Sequence, residues 1–162
     1  MSELSYTDSK LRAILDHTRT IAVVGASANW KRPSFFAMKY LQGKGYKMIP
    51  VNPGQAGKEI LGEMCYANLT DIPEPVDMVD IFRKSKDAYG VTEQAIEIGA
   101  KIVWMQLAVR NDEAAKLAED AGLEVIMDRC PKIEYSRLFG ELGWSGVNTG
   151  VITGKRRKAG RR

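Results

Sequence analysis

Gly25, Ser27, Asn29, Arg32 and Ser34 fall within ten residues of one another, behind the apolar run 21–24 and around Pro33. A small-residue turn carrying a hydroxyl, an amide and a guanidinium suits an anion, most often a phosphate. Gly25 lets the backbone turn where a β-carbon would interfere. Ala26 keeps the turn small. Pro33 fits the first turn of a helix, whose free N–H groups and positive dipole end attract negative charge, and Ser34 can bond a neighbouring free N–H. Arg32 adds a fork of donors. The G-x-G-x-x-G pattern of dinucleotide-binding turns is met only at Gly25, because Ser27 and Trp30 stand at its second and third glycine positions. Ordinary dinucleotide binding is weakened, although Ser27 still allows close approach and offers a hydroxyl to a phosphate oxygen. A plain strand-to-helix turn is the other reading of the same residues.

Three further groups carry chemistry. Asn52 and Pro53 stand where a dinucleotide-binding fold places an acidic residue on the ribose diol. With an amide there, NAD is disfavoured and a nucleotide with a phosphorylated ribose gains ground; turn formation alone also explains Asn-Pro-Gly. Phe82, Arg83 and Lys84 form a second basic turn, and Gln106 ends a later apolar run with an amide. His17 is the sole histidine, so a Ser-His-Asp or Cys-His arrangement can be made only through it. Cys65 and Cys130 have no Cys or His neighbour at metal-ligand spacing, so no metal site and no catalytic residue is expected.

The elements that must position these groups alternate in type. Leu11, Ile14 and Leu15 share one face of a helix expected over 7–16, with His17 at its end. Residues 21–24 read as a strand buried on both faces, 35–41 as a helix and 46–51 as a second strand, completing a βαβ unit. Residues 59–66 read as a short irregular connection with room for a stub of edge strand, and 69–72 as at most one helical turn, ended by Pro73 and Pro75. Strands are expected over 76–82, 101–107 and 123–127, with helices over 88–98 and 111–121 closed by Gly99 and Gly122. Residues 128–132 read as a loop. Five strands alternating with helices predict an α/β fold, a single-domain Rossmann-like doubly wound parallel sheet. Numbering the strands along the chain, the simplest order is 3-2-1-4-5. Ligands of such sheets lie outside the carboxyl ends of the strands, where the turns after strands one and three can converge.

Gly25-Ala-Ser with Arg32-Pro-Ser34, Pro50-Val-Asn-Pro53, Asp80-Ile-Phe-Arg83, Val103-Trp-Met-Gln106 and Met127-Asp-Arg-Cys-Pro131 occur in that order. Together they resemble the small stand-alone CoA-binding proteins, the YccU-like family, and more distantly the N-terminal CoA-binding domain of the succinyl-CoA synthetase α subunit. The resemblance covers about residues 11–138. It implies that Gly25, Ala26, Ser27 and Asn29, with Arg32, Pro33 and Ser34, hold the diphosphate of coenzyme A. It implies that Asn52 and Pro53 lie by the adenosine, that Phe82, Arg83 and Lys84 line the crevice, and that Gln106 completes it. Related sequences often place a lysine directly after Asn-Pro, where this chain has Gly54, which leaves Lys58 or Arg83 to meet the 3′-phosphate. The synthetase also needs a second domain with a phosphorylated histidine and a partner subunit. The implied activity is therefore binding of CoA or an acyl-CoA without ligase chemistry. Cys130 would lie where a CoA thiol could reach it and form a mixed disulfide; a small buried cysteine before a proline-fixed turn is the plainer reading.

Composition bounds the remaining classes. The 162 residues suit one domain, expected over 1–150 with the N-terminal helix included, followed by a basic tail over 151–162. That tail holds six of the 24 basic residues and no acid, leaving 18 basic against 20 acidic residues before it, so the net charge of +4 does not describe the body. Such a tail reads as a solvated, disordered end with weak polyanion affinity, and specific nucleic-acid binding is not expected. No apolar run is long enough to span a bilayer and no leader pattern opens the chain, so the expected place is the cytoplasm. Trp144, in the glycine-rich stretch 142–150, offers a contact surface for an unidentified protein partner. Two other functions compete. An NADP-dependent oxidoreductase needs a proton donor beside the nicotinamide, and no Tyr-x-x-x-Lys pair supplies one. An interaction protein acting through its tail would survive loss of the crevice residues.

Overall fold

The computed structural model describes residues 4–139. The tail, Trp144 and the stretch 142–150 lie outside the described residues. The chain begins with α1 (Asp8–His17), β1 (Thr20–Val24), α2 (Pro33–Gly43) and β2 (Lys47–Val51). A small antiparallel hairpin of β3 (Glu59–Ile60) and β4 (Glu63–Met64) follows, then β5 (Met78–Ile81), α3 (Ala88–Glu97), β6 (Ile102–Met105), α4 (Asp112–Asp120), β7 (Glu124–Ile126) and α5 (Pro131–Leu138). Thr7 caps α1 by accepting from the Lys10 N–H, and Asn111 caps α4 by accepting from the Ala114 N–H. Both close a helix start at a donor the helix itself leaves free.

Alternation along the strands sorts the core into two layers. Ile21, Val23, Met48, Met78 and Trp104 face a layer made with Leu11, Ile14 and Leu15 of α1, Met38 and Leu41 of α2, and Tyr135 and Leu138 of α5. Ala22, Val24, Ile49, Val79, Ile81 and Val103 face the other way, onto the alanines of α3 and α4. With both faces covered, the strands carry no polar stripe, as the apolar runs led one to expect.

The five-stranded parallel sheet runs β2-β1-β5-β6-β7. The Rossmann-like fold expected from the sequence is therefore present, but the order 3-2-1-4-5 is corrected: the third long strand crosses over and pairs with β1, not with β2. Pro50 gives the reason. It sits in β2 opposite Val23, and its carbonyl points outward to accept from the Tyr66 N–H at 3.0 Å. The missing N–H lies on that same outer side, so no ladder bond to β1 is lost, while an interior strand would lose one. Tyr66, paired in parallel with Val51 as an isolated bridge, occupies the space a further strand would need. The hairpin replaces the expected irregular connection, and the loop expected over 128–132 starts α5 at Pro131.

Candidate functional site

The helix after β1 covers one face of the sheet and the helix after β5 the other, so the chain diverges at the carboxyl ends of these two neighbouring strands. In an open parallel sheet this divergence leaves a crevice. Its floor is the contact between two backbones. Gly25 has φ +93°, and a β-carbon there would lie 2.8 Å from the Phe82 carbonyl oxygen and 3.1 Å from Cδ of Arg83. Both the left-handed backbone and the close approach require glycine. The Gly25 N–H donates to the Val51 carbonyl at 2.9 Å and the Phe82 N–H to the Val24 carbonyl at 2.8 Å, which seats the turn between β2 and β5.

Asn52 ties the turn down from the side. Its Nδ2 donates to the Ala26 carbonyl at 2.8 Å, and its Oδ1 accepts the Gly54 N–H at 2.9 Å. The turn then climbs by local bonds: the Asn29 N–H donates to Ser27 Oγ at 3.0 Å and the Lys31 N–H to Asn29 Oδ1 at 3.0 Å. Ser27 is the acceptor in that bond, which leaves its O–H as a donor. Arg32 is the residue before α2, gives the helix no side-chain cap, and leaves its guanidinium exposed; Pro33 follows as the first helical residue. Ser34 is buried within the first turn.

Gly25, Arg32, Asn52, Phe82, Arg83, Lys84, Lys86 and Asp87 line a crevice of about 470 Å³. Four cations therefore face one carboxylate. The Arg83 Nε is 3.8 Å from Asp87 Oδ2, and both side chains are more than a third exposed, so the pair is loose and Arg83 keeps donors for a ligand. Beside this crevice, sharing Arg83, Lys86 and Asp87 with it, a groove of about 760 Å³ runs along α3 between Val51, Pro53 and Leu69 on one wall and Gly90, Val91 and Gln94 on the other. The two together form a cationic seat with an elongated, half-apolar side chamber. The arrangement can hold a polyphosphate joined to a flat heterocycle.

The loops around it are braced. The Arg110 N–H donates to Ser85 Oγ at 2.9 Å, Asn111 Nδ2 to the Ser85 carbonyl at 3.0 Å, and the Ala108 N–H to Asp128 Oδ1 at 2.7 Å. Ala108 and Asp128 both hold positive φ, +69° and +56°. Non-glycine residues keep such backbone only where their surroundings fix it.

Residues 19–136 match the family described as CoA binding domain. The chain belongs to that family. Among relatives of this CoA binding domain, the uncharacterized protein YneT of Bacillus subtilis is 37% identical over 128 residues, covering 79% of this chain and 93% of that protein. The acetate–CoA ligase (ADP-forming) II of Archaeoglobus fulgidus is 32% identical over 116 residues, 70% of this chain but only 17% of the ligase. A solved structure of a hypothetical protein from Pyrococcus horikoshii is 42% identical with a TM-score of 0.80, covering 86% of this chain and all of that one, 100%. The family expected from the five motifs is thus borne out.

Within the CoA binding domain, Gly25, Arg32, Asn52, Phe82, Arg83 and Lys84 of the expected residues meet at the crevice, and Pro53 lines the groove. Ala26 is fully buried, with its N–H on the Val51 carbonyl and its own carbonyl accepting from Asn52, so it shapes the turn rather than lining the crevice. Ser27, Asn29, Pro33 and Ser34 shape the turn and the helix start behind the lining. Gln106 does not line the crevice. It follows β6, one strand beyond β5, where its N–H donates to the Ile81 carbonyl at 3.1 Å; its side-chain oxygen is buried with no partner among the described residues. His17 ends α1 at the opposite rim of the sheet, with Nδ1 2.7 Å from the Ala13 carbonyl. Cys130 is buried at the start of α5.

Two residues were missed from sequence, Lys86 and Asp87. The signal was available: Lys86 follows the basic pair Arg83 and Lys84 in the same turn, where a short 3₁₀ helix (Ser85–Asp87) swings it back toward the crevice. Asp80 is a third. It stands in β5 between Val23 and Trp104, fully buried, with neither carboxyl oxygen partnered among the described residues, and burial pushes its pKa well above the ordinary carboxylate value.

Proposed function

We propose that this protein binds coenzyme A at the junction of β1 and β5 and carries out no ligase chemistry of its own. One observation carries the reading. A turn too tight for any β-carbon at Gly25 opens onto a crevice ringed by Arg32, Arg83, Lys84 and Lys86, and that crevice continues into a half-apolar groove. Close backbone approach favours the diphosphate, with the Ser27 hydroxyl, the Asn29 and Arg32 segment and the start of α2 at Pro33 and Ser34 around it. The groove past Pro53 and Leu69 suits adenosine. Lys86 and Arg83, which border both spaces, take the 3′-phosphate that the sequence had left to Lys58 or Arg83. Membership of the CoA binding domain family and the match to part of a protein named as an acetate–CoA ligase support the same ligand.

The protein is a binder in this reading, located in the cytoplasm. The crevice holds four cations, a carboxylate and an amide, and the sole histidine lies at the other rim. These groups bind and orient; none is a base poised against a thiol or a carbonyl. No helix among the described residues is long and apolar enough to cross a membrane.

Calorimetric titration with CoA, dephospho-CoA and NADP, repeated on Arg32→Ala, tests the proposal. Saturable binding of CoA, weaker for dephospho-CoA and weaker again in the variant, is expected. Binding of NADP without CoA would overturn it in favour of an oxidoreductase.

A further inference from the structure

Among the described residues, two glycines occupy α-helical positions with no positive φ and with open space around them: Gly43, which ends α2, and Gly90, inside α3. The 3₁₀ turn Ser85–Asp87 runs straight into α3, so Gly90 has helical residues on both sides. A glycine there weakens the helix, and alanine would hold it better. Gly25 shows the two reasons the fold itself gives for a glycine, a positive φ and a crowded β-carbon. Gly90 has neither, since a β-carbon on it would meet nothing within 4 Å. The open space beside it is the groove, which Gly90 lines across from Pro53. Val24, Val51 and Leu69 line the same groove and are buried, so its base is apolar.

We infer that Gly90 is the contact for the purine ring of the bound nucleotide, and that its missing side chain decides what the groove admits. The inference rests on the CoA reading and deepens it by naming a specificity-determining residue. Position along α3 sets which part of the ligand arrives there. Arg83 and Lys86 border both the crevice and the groove, and Gly90 stands one turn beyond Lys86, about 6 Å along the helix axis. One ribose spans that step, from a 3′-phosphate on the two cations to the base. A flat ring laid against glycine meets the peptide backbone directly. A β-carbon would hold the ring off by about 1.5 Å, one bond length, and lift it from Val24, Val51 and Leu69. Glu93 lines the groove one turn further on, so the cationic end gives way to an acceptor-only carboxylate that matches the exocyclic amine of adenine.

The test pairs stability with affinity in Gly90→Ala and Gly90→Leu, with Gly43→Ala as a control outside the groove. Without ligand, Tm should rise by about 2–4 °C in both Gly90 variants, because alanine and leucine are stronger helix formers. Calorimetry then uses CoA and adenosine 3′,5′-bisphosphate, which lacks the pantetheine arm. Both ligands should bind about fivefold to tenfold more weakly to Gly90→Ala and more weakly still to Gly90→Leu. Gly43→Ala should leave both affinities as they were. A variant that is more stable yet binds less tightly does not owe its loss to unfolding. If both Gly90 variants bind CoA as the natural chain does, the purine contact is overturned while the CoA reading stands. The same follows if CoA is weakened and the bisphosphate is not, or if the natural chain binds CoA without the bisphosphate, since the base then lies elsewhere. A fall of Tm in Gly90→Ala would show that the fold itself requires the glycine, and would overturn the inference. If the natural chain binds neither ligand, both readings are overturned together.

Discussion

The Phe82 carbonyl oxygen stands 2.8 Å from the point that a β-carbon on Gly25 would occupy, so the exit of β5 rests directly on the turn after β1. Neither backbone can yield without lengthening the bonds that seat it, from Gly25 to Val51 and from Phe82 to Val24. Gly25→Ala is expected to cost about 1–3 kcal/mol from the positive φ alone, with the clash adding to it. Urea unfolding measures that loss, and CoA titration of the folded variant should show binding weakened at least tenfold, about 1.4 kcal/mol. Full affinity in Gly25→Ala would remove the turn from the site.

Asn52 acts through hydrogen bonds in two directions, as donor to Ala26 and acceptor from Gly54. Asn52→Asp keeps the acceptor and loses the donor, placing a negative charge against a carbonyl. We expect a loss of about 1–3 kcal/mol in stability, and weaker CoA binding because the turn is no longer held. Asn52→Ser tests the same bond without added charge, and should weaken binding less.

Lys86 and Lys58 separate two accounts of the 3′-phosphate. Lys86 borders both the crevice and the groove. Lys86→Ala is expected to lower CoA affinity about tenfold while changing dephospho-CoA little, and to reduce the salt dependence of CoA binding. Lys58→Ala should leave the ratio of the two ligands as it was. Equal losses for CoA and dephospho-CoA in Lys86→Ala would move the 3′-phosphate elsewhere.

Asp80 makes stability depend on pH with a definite sign. Burial raises its pKa in the folded chain, so the folded form binds the proton more tightly than the unfolded form. The contribution is complete below the unfolded carboxyl range near pH ~4 and is lost as pH rises toward the folded value, by up to about 1.4 kcal/mol for each pH unit. Its neighbours across the sheet, Val23 and Trp104, do not titrate and cannot offset this. Asp80→Asn should flatten the curve, so that the stability difference shifts toward the variant between pH 4 and 7. Urea unfolding at a series of pH values checks it, and parallel curves would refute it.

Much of this architecture was legible because the long strands are mostly apolar on both faces and three of the helices carry a cap or a closing glycine: Thr7, Asn111, Gly99 and Gly122 stand where elements start or stop. The strand order was misread because alternation of elements is the same for both orders. Pro50 held the deciding information, since a residue without an N–H belongs at an edge. The crevice was readable from the Gly25 turn and the basic pair at Arg83 and Lys84. Lys86 follows the same basic pair and could have been read with it; only its direction, set by a 3₁₀ turn, is not specified by propensity. The resemblance had Gln106 complete the crevice, but it follows β6, and β5 stands between that strand and β1. Asp80 gave no warning, since a single acid in an apolar run is equally compatible with an exposed edge.

Pro50 has a second consequence, for the behaviour of many molecules together. An open sheet ends in a row of backbone donors and acceptors that can template pairing with another chain. At the β2 end one donor is missing, the Pro50 carbonyl is already bonded to Tyr66, and the Asn52 N–H is bonded to the Tyr66 carbonyl. At the other end β7 is three residues long and opens with Glu124. Among the described residues neither border offers an uninterrupted ladder to a neighbour, which disfavours edge-to-edge pairing between native molecules.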